Sequence, residues 1–384
     1  MTGLTGRLRR MKEQGAIPSA QPDGRRPGKS LILDELLPGW KRVGDYVWLH
    51  ESLLPSAAAP VFDSSPLLAH GAKAEDFLYY DVETTGLSGG AGTIAFLVGI
   101  GRAEGKKLKI EQLFLSDYPG EREFLEHLLV RLRKDSVYVS YNGKSFDSQI
   151  LRTRFIMNGM RYTFPSQLDL LHPARRLFGS LLESCRLGSI EEFILDTPRV
   201  DDIPSSEVPE IYFRFLDTGD PAPLKSVFDH HLQDIASLKR VLVHMQKVLR
   251  DPLHAHADPY RLGRWLLEAG YEHWEVLLRR ALGEGSRQAG YLLGRQLKRE
   301  GRWCAAEALW RDMRERLNDY RASVELAMLY EHRVKDLSRS LVIVEELIDK
   351  SRSDGTDPTK DRSWDLLVHR KQRLLKKIKR AAKS

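Results

Sequence analysis

The sequence predicts an α/β domain, a mixed sheet flanked by helices, followed by an all-α region of helical repeats. Three observations lead there. Apolar runs of strand length fall between Phe77 and Asp117, separated by short turns. Amphipathic helices and one further strand follow as far as Leu249. From Pro259 to about Lys350 three helical segments align with Gly263, Gly294 and Ala327 in register, 31 and 33 residues apart.

The elements follow in chain order. Residues 1–30 are rich in Pro, Gly, Arg and Gln and read as a disordered basic arm. In the extension over 31–74, Trp40 to Leu53 predicts a strand or hairpin, and PSAAAP breaks the chain after it. The α/β domain spans 75–250. FLYYDVE is its first strand, TTGLSGGAG a glycine-rich turn, and TIAFLVGIGRAEG and KLKIEQLFLSD the second and third strands, with the short turns implying antiparallel pairing. Glu121 to Lys134 carries Phe124, Leu125, Leu128, Leu129 and Leu132 at helical spacing. VYVSY is a fourth strand, Asn142-Gly143 a turn, and Ser145 the expected N-cap of the next helix. Three antiparallel strands, a helix and a returning strand is the order of the ribonuclease H-like fold. Asp196 to Ser206 reads as loop, with helices at about Ser206–Leu216 and Leu224–Leu249. The repeats, over 258–350, resemble tetratricopeptide-type hairpins, where close helix packing admits only Gly or Ala at one position. A basic helix or tail, 351–384, closes the chain.

Composition narrows the function classes. With 384 residues, 42% apolar and 29% charged, the chain suits two or three globular units and excludes collagen-like and wholly disordered classes. There is no run of 18 apolar residues and no export-type apolar segment after the basic N-terminus, so a cytoplasmic address without a membrane is the expectation. Cys185 and Cys304 lack zinc or disulfide spacing and read as idle thiols. The net charge of +7 is uneven: the first 30 residues carry +5, the last 15 carry +8, and the body between them −6. Basic ends suit salt-sensitive contact with nucleic acid, and equally a pair of solvated tails.

The chemistry concentrates in acidic residues. Asp81 and Glu83 stand two apart at the end of a strand, so both leave one face of the sheet. Mutually repelling carboxylates there call for solvent or a hard divalent cation, Mg²⁺ or Mn²⁺ rather than zinc. Asp147 opens a helix, a place where an acid also serves the helix dipole. Asp234 sits inside a helix, where Asp has low propensity and little structural use. Converged, the four would hold two cations for phosphodiester hydrolysis. His230, one turn before Asp234 on the same helix face, is the candidate base or water-positioning group; His231 points away and reads as exposed or as capping a local hydrogen bond. Asp169 reads as a supporting group near the site or a strand-end acid. Asn142, Gly143 and Lys144 meet a phosphate or make only a turn. Trp265, Trp274, Trp303 and Trp310 read as core.

DVETTGL, YNGKSFD and HHLQD, in that order, resemble the three exonuclease motifs of the DEDD superfamily. The stretch from Phe77 to Leu249, with LDLLHPARR and RLGSIEEF between the motifs, resembles more closely the YprB-type ribonuclease H-like domain. The resemblance implies a 3′ to 5′ exonuclease with Asp81, Glu83, Asp147 and Asp234 as metal ligands and Thr84, Thr85 and Leu87 against the terminal nucleotide. One departure stands out: the superfamily's main branches place Tyr four or His five residues before the last Asp, whereas here His230 is at four and Asp229 at five. Two other functions stay open on the sequence, a structure-selective endonuclease and a non-catalytic adaptor whose repeats bind a protein partner.

Overall fold

The computed structural model describes residues 38–56, 66–67, 76–86, 92–200, 202–353 and 362–382. The basic arm, Leu87 and the glycines Gly89 and Gly90 lie outside these. Among the described residues a seven-stranded mixed sheet is followed by stacked helices.

The sheet is built from β1 (Trp40–Arg42), β2 (Val47–Pro55), β3 (Phe77–Thr84), β4 (Ala95–Glu104), β5 (Lys107–Leu115), β6 (Val137–Ser140) and β7 (Gln167–Asp169), in the order β1-β2-β5-β4-β3-β6-β7. The pairs from β1 through β3 are antiparallel; β6 and β7 add in parallel on the other side of β3. The hairpin of the extension thus completes one edge of the sheet.

Both faces are covered. On one, Leu78, Tyr80 and Val82 meet helices α1 (Glu121–Arg131) and α2 (Asp147–Met157). On the other, Phe77 and Tyr79 meet α3 (Leu171–Phe178) and α4 (Leu187–Phe193). Next come α5 (Val208–Thr218) and the 27-residue α6 (Leu224–Arg250). Alternation along β3 therefore puts Asp81 and Glu83 on the same side as Phe77 and Tyr79, beneath α6. Helix α2 starts one residue beyond its expected cap: Phe146 holds the cap position, and the Ser145 backbone N–H is spent on Asn142 in the preceding turn. Helix α5 runs two residues past its expected end because Gly219, at φ 76°, is the residue able to take the left-handed conformation that stops it.

The sequence Gly99-Ile100-Gly101 in β4 brings α6 close to the sheet. Gly99 pairs with Asp81 and Gly101 with Tyr79. A Cβ on Gly99 would lie 1.9 Å from Ile235 Cδ1 and 2.5 Å from His231 Cε1. The two glycines form a track on which α6 settles, and Ile235, Leu238 and Leu242 seal the contact, each such burial contributing about 1.5–3 kcal/mol.

Helices α7 (Pro259–Ala269), α8 (Trp274–Gly283), α9 (Arg287–Arg299), α10 (Trp303–Leu317), α11 (Tyr320–Leu329) and α12 (Leu337–Ser353) stack in sequence, and α13 (Arg362–Ala381) packs on α12. The registered small residues sit where partners cross: Gly263 faces Leu277, a Cβ on Gly294 would fall 2.0 Å from the Trp310 ring, and the Ala327 carbonyl accepts the Ser340 hydroxyl. Trp265 and Trp310 are core; Trp274 and Trp303 are partly buried. No described helix is long and apolar enough to cross a membrane.

Candidate metal centre

Helix α6 delivers His230 and Asp234, one turn apart, over the end of β3. His230 Nε2 lies 3.3 Å from Asp234 Oδ2 and 3.9 Å from Glu83 Oε1. Glu83, His230 and Asp234 each offer a ligand atom within 4.8 Å of the others, a separation one cation can bridge. Asp81 and Asp147 fall outside this tightest trio, yet their charges bear on it. Burial, then Asp234, Asp147 and Glu83, drive the Asp81 carboxyl well above the usual carboxylate range. Burial, Asp234 and Asp147 do the same to Glu83. Asp147 is pushed up to about 8 by burial, Asp169 and Asp234. Asp234 is raised by burial against the opposing pull of His230 and Arg199. Four acids thus crowd together with too little positive charge to balance them.

The turn after β6 sets Asp147 in place. A Cβ on Gly143 would lie 2.6 Å from Asp147 Oδ2, so the glycine admits the carboxylate. Asp169 accepts from the backbone N–H groups of Asn142 (2.8 Å), Lys144 (3.2 Å) and Leu171 (3.1 Å). Asp169 is therefore the post to which this turn is tied. The Asn142 and Lys144 side chains are exposed at its rim. Thr84 is buried with its hydroxyl donated to the Gly86 carbonyl, and Thr85 Oγ1 accepts from Ile94 N–H, so both hydroxyls serve the local turn.

His231 is not exposed. It is fully buried, its Nε2 donates to the Asp81 carbonyl at 3.1 Å, and its Nδ1 accepts from Gln112 Nε2 at 3.0 Å. Burial holds the ring neutral, with its pKa lowered to about 3. The two contacts fix the tautomer and clamp α6 to the backbone of β3 at the residue that bears the first acid. The helical wheel alone turns His231 away from Asp234; the sheet waiting on that side is what buries it. Asp229, by contrast, is exposed and paired with Lys225, so the histidine at position four faces the cluster and the acid at position five does not.

Three further residues enter from segments in which the sequence marked no site residue, the loop after Asp196 and the RLGSIEEF stretch. Arg199, in the loop before α5, donates to Asp234, to Glu191 on α4, and to Asp202 Oδ2 at 3.1 Å. Asp202 Oδ1 accepts from His230 Nδ1 at 2.6 Å, which turns Nε2 toward Glu83 and Asp234. Glu191, fully buried, also takes the Ser237 hydroxyl, tying α4, the loop and α6 together. The sequence signal was an arginine and an aspartate three apart in a polar loop, indistinguishable from a solvated turn.

Residues 78–246 match a family model described as the RNase_H superfamily. YprB of Bacillus subtilis (strain 168) is 30% identical over 299 residues, 74% of this chain and 71% of that protein. This chain belongs to the YprB family of ribonuclease H-like proteins. Solved structures of exonuclease I share part of its path. The zinc-bound E. coli ExoI–ssDNA complex covers 50% of this chain at 16% identity and a TM-score of 0.31, and a second exonuclease I structure covers 48% at 17% and 0.31. This chain spans under half of either. The family match covers all four acids, both histidines, Glu191, Arg199 and Asp202, and stops short of the helical region.

Proposed function

We propose that this protein is a metal-dependent nuclease, a 3′ to 5′ exonuclease on DNA or RNA. The observation that carries the reading is the convergence of Asp81, Glu83, Asp147 and Asp234, from one strand and two helices, into a largely buried cluster whose repulsion Arg199 and His230 relieve only in part. The donor set fits hard divalent cations: carboxylate oxygens with a histidine beside them, and no thiolate. Those four acids would hold two Mg²⁺ or Mn²⁺ ions, which when bound supply Lewis-acid stabilisation of the attacking and leaving oxygens.

The chain's own residues do the rest. Asp202 holds His230 Nδ1–H, leaving Nε2 to orient the attacking water and take its proton. His231 and Gln112 keep Asp81 at its depth in the sheet. Arg199 balances the cluster while cations are away and helps hold Asp234 in place. Thr84, Thr85 and Leu87 border the terminal nucleotide, with Asn142 and Lys144 at the rim toward phosphate. The helical region is read as tetratricopeptide-like, a surface for a protein partner.

The test is hydrolysis of single-stranded and duplex DNA and RNA, labelled at the 5′ end or blocked at the 3′ end, in Mn²⁺ with wild-type protein and Asp81→Ala. Stepwise loss from the free 3′ end, absent in the variant, is expected. Cleavage within 3′-blocked strands would point instead to the endonuclease, and equal activity of variant and wild type would sink the assignment.

A further inference from the structure

We propose that an arginine track at the junction of the sheet domain and the first repeat helices carries the sugar-phosphate backbone of a single-stranded nucleic acid away from the acidic cluster. This rests on the nuclease reading for what happens at its inner end. The track is a property of other residues.

His230, Asp234 and Arg199 open into a cleft of about 790 Å³ whose outer part is lined by Arg175 on α3 and Arg186 just before α4. Both arginines are exposed, and among the described residues neither has an acidic partner within ion-pair distance. That sets them apart in a body of net negative charge, where most arginines close an ion pair. Three acids, Glu192, Asp202 and Asp234, line the same cleft, and the last two are already paired with Arg199.

The next residue, Arg176, faces a second cleft of about 380 Å³ shared with Arg261, Arg264 and Trp265 of α7. The Arg176 guanidinium lies over the Trp265 ring, 5.5 Å from its centroid. Glu268 balances Arg264 at 2.7 Å and Arg176 at 3.6 Å, and Asp258 balances Arg261 at 3.4 Å, so the unpaired charge of the track is that of Arg175 and Arg186. The two clefts are joined at the backbone: Arg261 Nη1 donates to the Arg175 carbonyl at 2.9 Å, and a Cβ on Gly179 would lie 3.0 Å from that same Nη1. Five guanidinium groups therefore run from the cluster onto the first repeat helix. A chain of phosphates is the partner whose repeating negative charge matches them.

The basic C-terminal helix is the rival surface, and four of its cations already hold an acid. Arg370, Arg373 and Lys377 converge on buried Glu331, and Lys371 pairs with Glu345. A strand attracted there would have to break these pairs, whereas Arg175 and Arg186 have none to break.

The experiment is fluorescence anisotropy of labelled oligo(dT) and oligo(rU) in EDTA, so that no strand is cut, with the full chain carrying Arg175→Glu and Arg186→Glu together. Binding should weaken at least about tenfold, and the slope of log K against log salt should fall by about 1.4, the loss of two phosphate contacts on a single strand. Arg299→Glu, an exposed arginine on α9, should leave both unchanged. The Arg175→Gln, Arg186→Gln pair should move binding in the same direction by less, which separates lost contacts from misfolding. Unchanged affinity and slope in the reversed variant, or no binding by the wild type, would overturn the track. Hydrolysis of bis(p-nitrophenyl) phosphate by the wild type in Mn²⁺ is read alongside. If that is absent while the arginine variants still lose oligonucleotide binding, the nuclease reading fails and the track stands.

Discussion

Two buried carboxylate sites in this molecule are built on opposite principles. At Glu331, in the π-helical turn after α11, one fully buried carboxylate meets Arg370, Arg373 and Lys377. Burial raises its pKa, but bonds from Arg373 and Lys377 outweigh that and bring it down to about 2. At the end of β3, four carboxylates share a single guanidinium, and burial with mutual repulsion raises Asp81, Glu83 and Asp147. The first arrangement is a lock whose charge is satisfied inside the protein. The second leaves repulsion that the proposed cations would relieve by supplying positive charge from outside.

The largest effects are expected where that borrowing is abolished. Asp234→Asn should take Mn²⁺-dependent hydrolysis to background while raising the melting temperature of the cation-free protein, since relieving repulsion at such a site contributes about 0.5–2 kcal/mol. A variant that loses stability as well as activity would make Asp234 a structural residue like Glu331. Gly99→Ala should follow closely. Its Cβ has no room beneath Ile235 and His231, and overpacking of this kind costs about 1–3 kcal/mol and displaces α6. Urea unfolding with unchanged midpoint would show that the helix does not depend on the glycine track.

Asp202→Asn keeps the shape of the side chain that holds His230 but removes its charge. Loss of roughly 10–100-fold in activity is expected, the range for partners that orient a functional group, with the fold intact. Full activity would mean that the Asp202 charge does not orient His230.

The smaller effects lie in pH dependence, where the two sites should have opposite signs. Glu331 has a folded pKa below its ordinary value. Its contribution is fully present above about pH 4.5 and is lost as pH falls toward about 2. Glu331→Gln should therefore cost about 1–2 kcal/mol at neutral pH, discounted because its cations are partly exposed, and less in acid. Asp147 has a raised folded pKa, so cation-free protein should lose stability as pH rises from about 4 through about 8, and Asp147→Asn should reduce that slope while Asp81 and Glu83 keep their share of it. Parallel pH profiles for the two variants would erase the distinction between lock and site.

The sequence made the fold legible where patterning was strong. Phe77 to Tyr80 running into Asp81 read as a strand, which the fold buries on both faces, and Gly263, Gly294 and Ala327 marked the crossings of the repeat helices. The acids of the cluster were legible because Asp234 had no local reason to stand in a helix. What stayed hidden depended on contacts across the fold. His231 is polar by composition, and only the approach of the sheet buries it, β3 giving it the Asp81 carbonyl and β5 Gln112 as partners. Arg199 and Asp202 lie in a loop whose path no periodicity records. The basic C-terminal helix read as a polyanion arm or a solvated basic face, and neither reading included Glu331, its counter-charge, which is 39 or more residues earlier in the chain.

Calorimetric titration of Mn²⁺ into metal-free wild-type protein and into Asp81→Asn, run in two buffers of different ionisation enthalpy, tests the central claim most directly. The account predicts binding by the wild type with release of protons, because carboxyls raised by burial and repulsion must ionise to take a cation, and loss of that binding in the variant. Absence of Mn²⁺ binding by the wild type, or identical titrations for the two proteins, would contradict it.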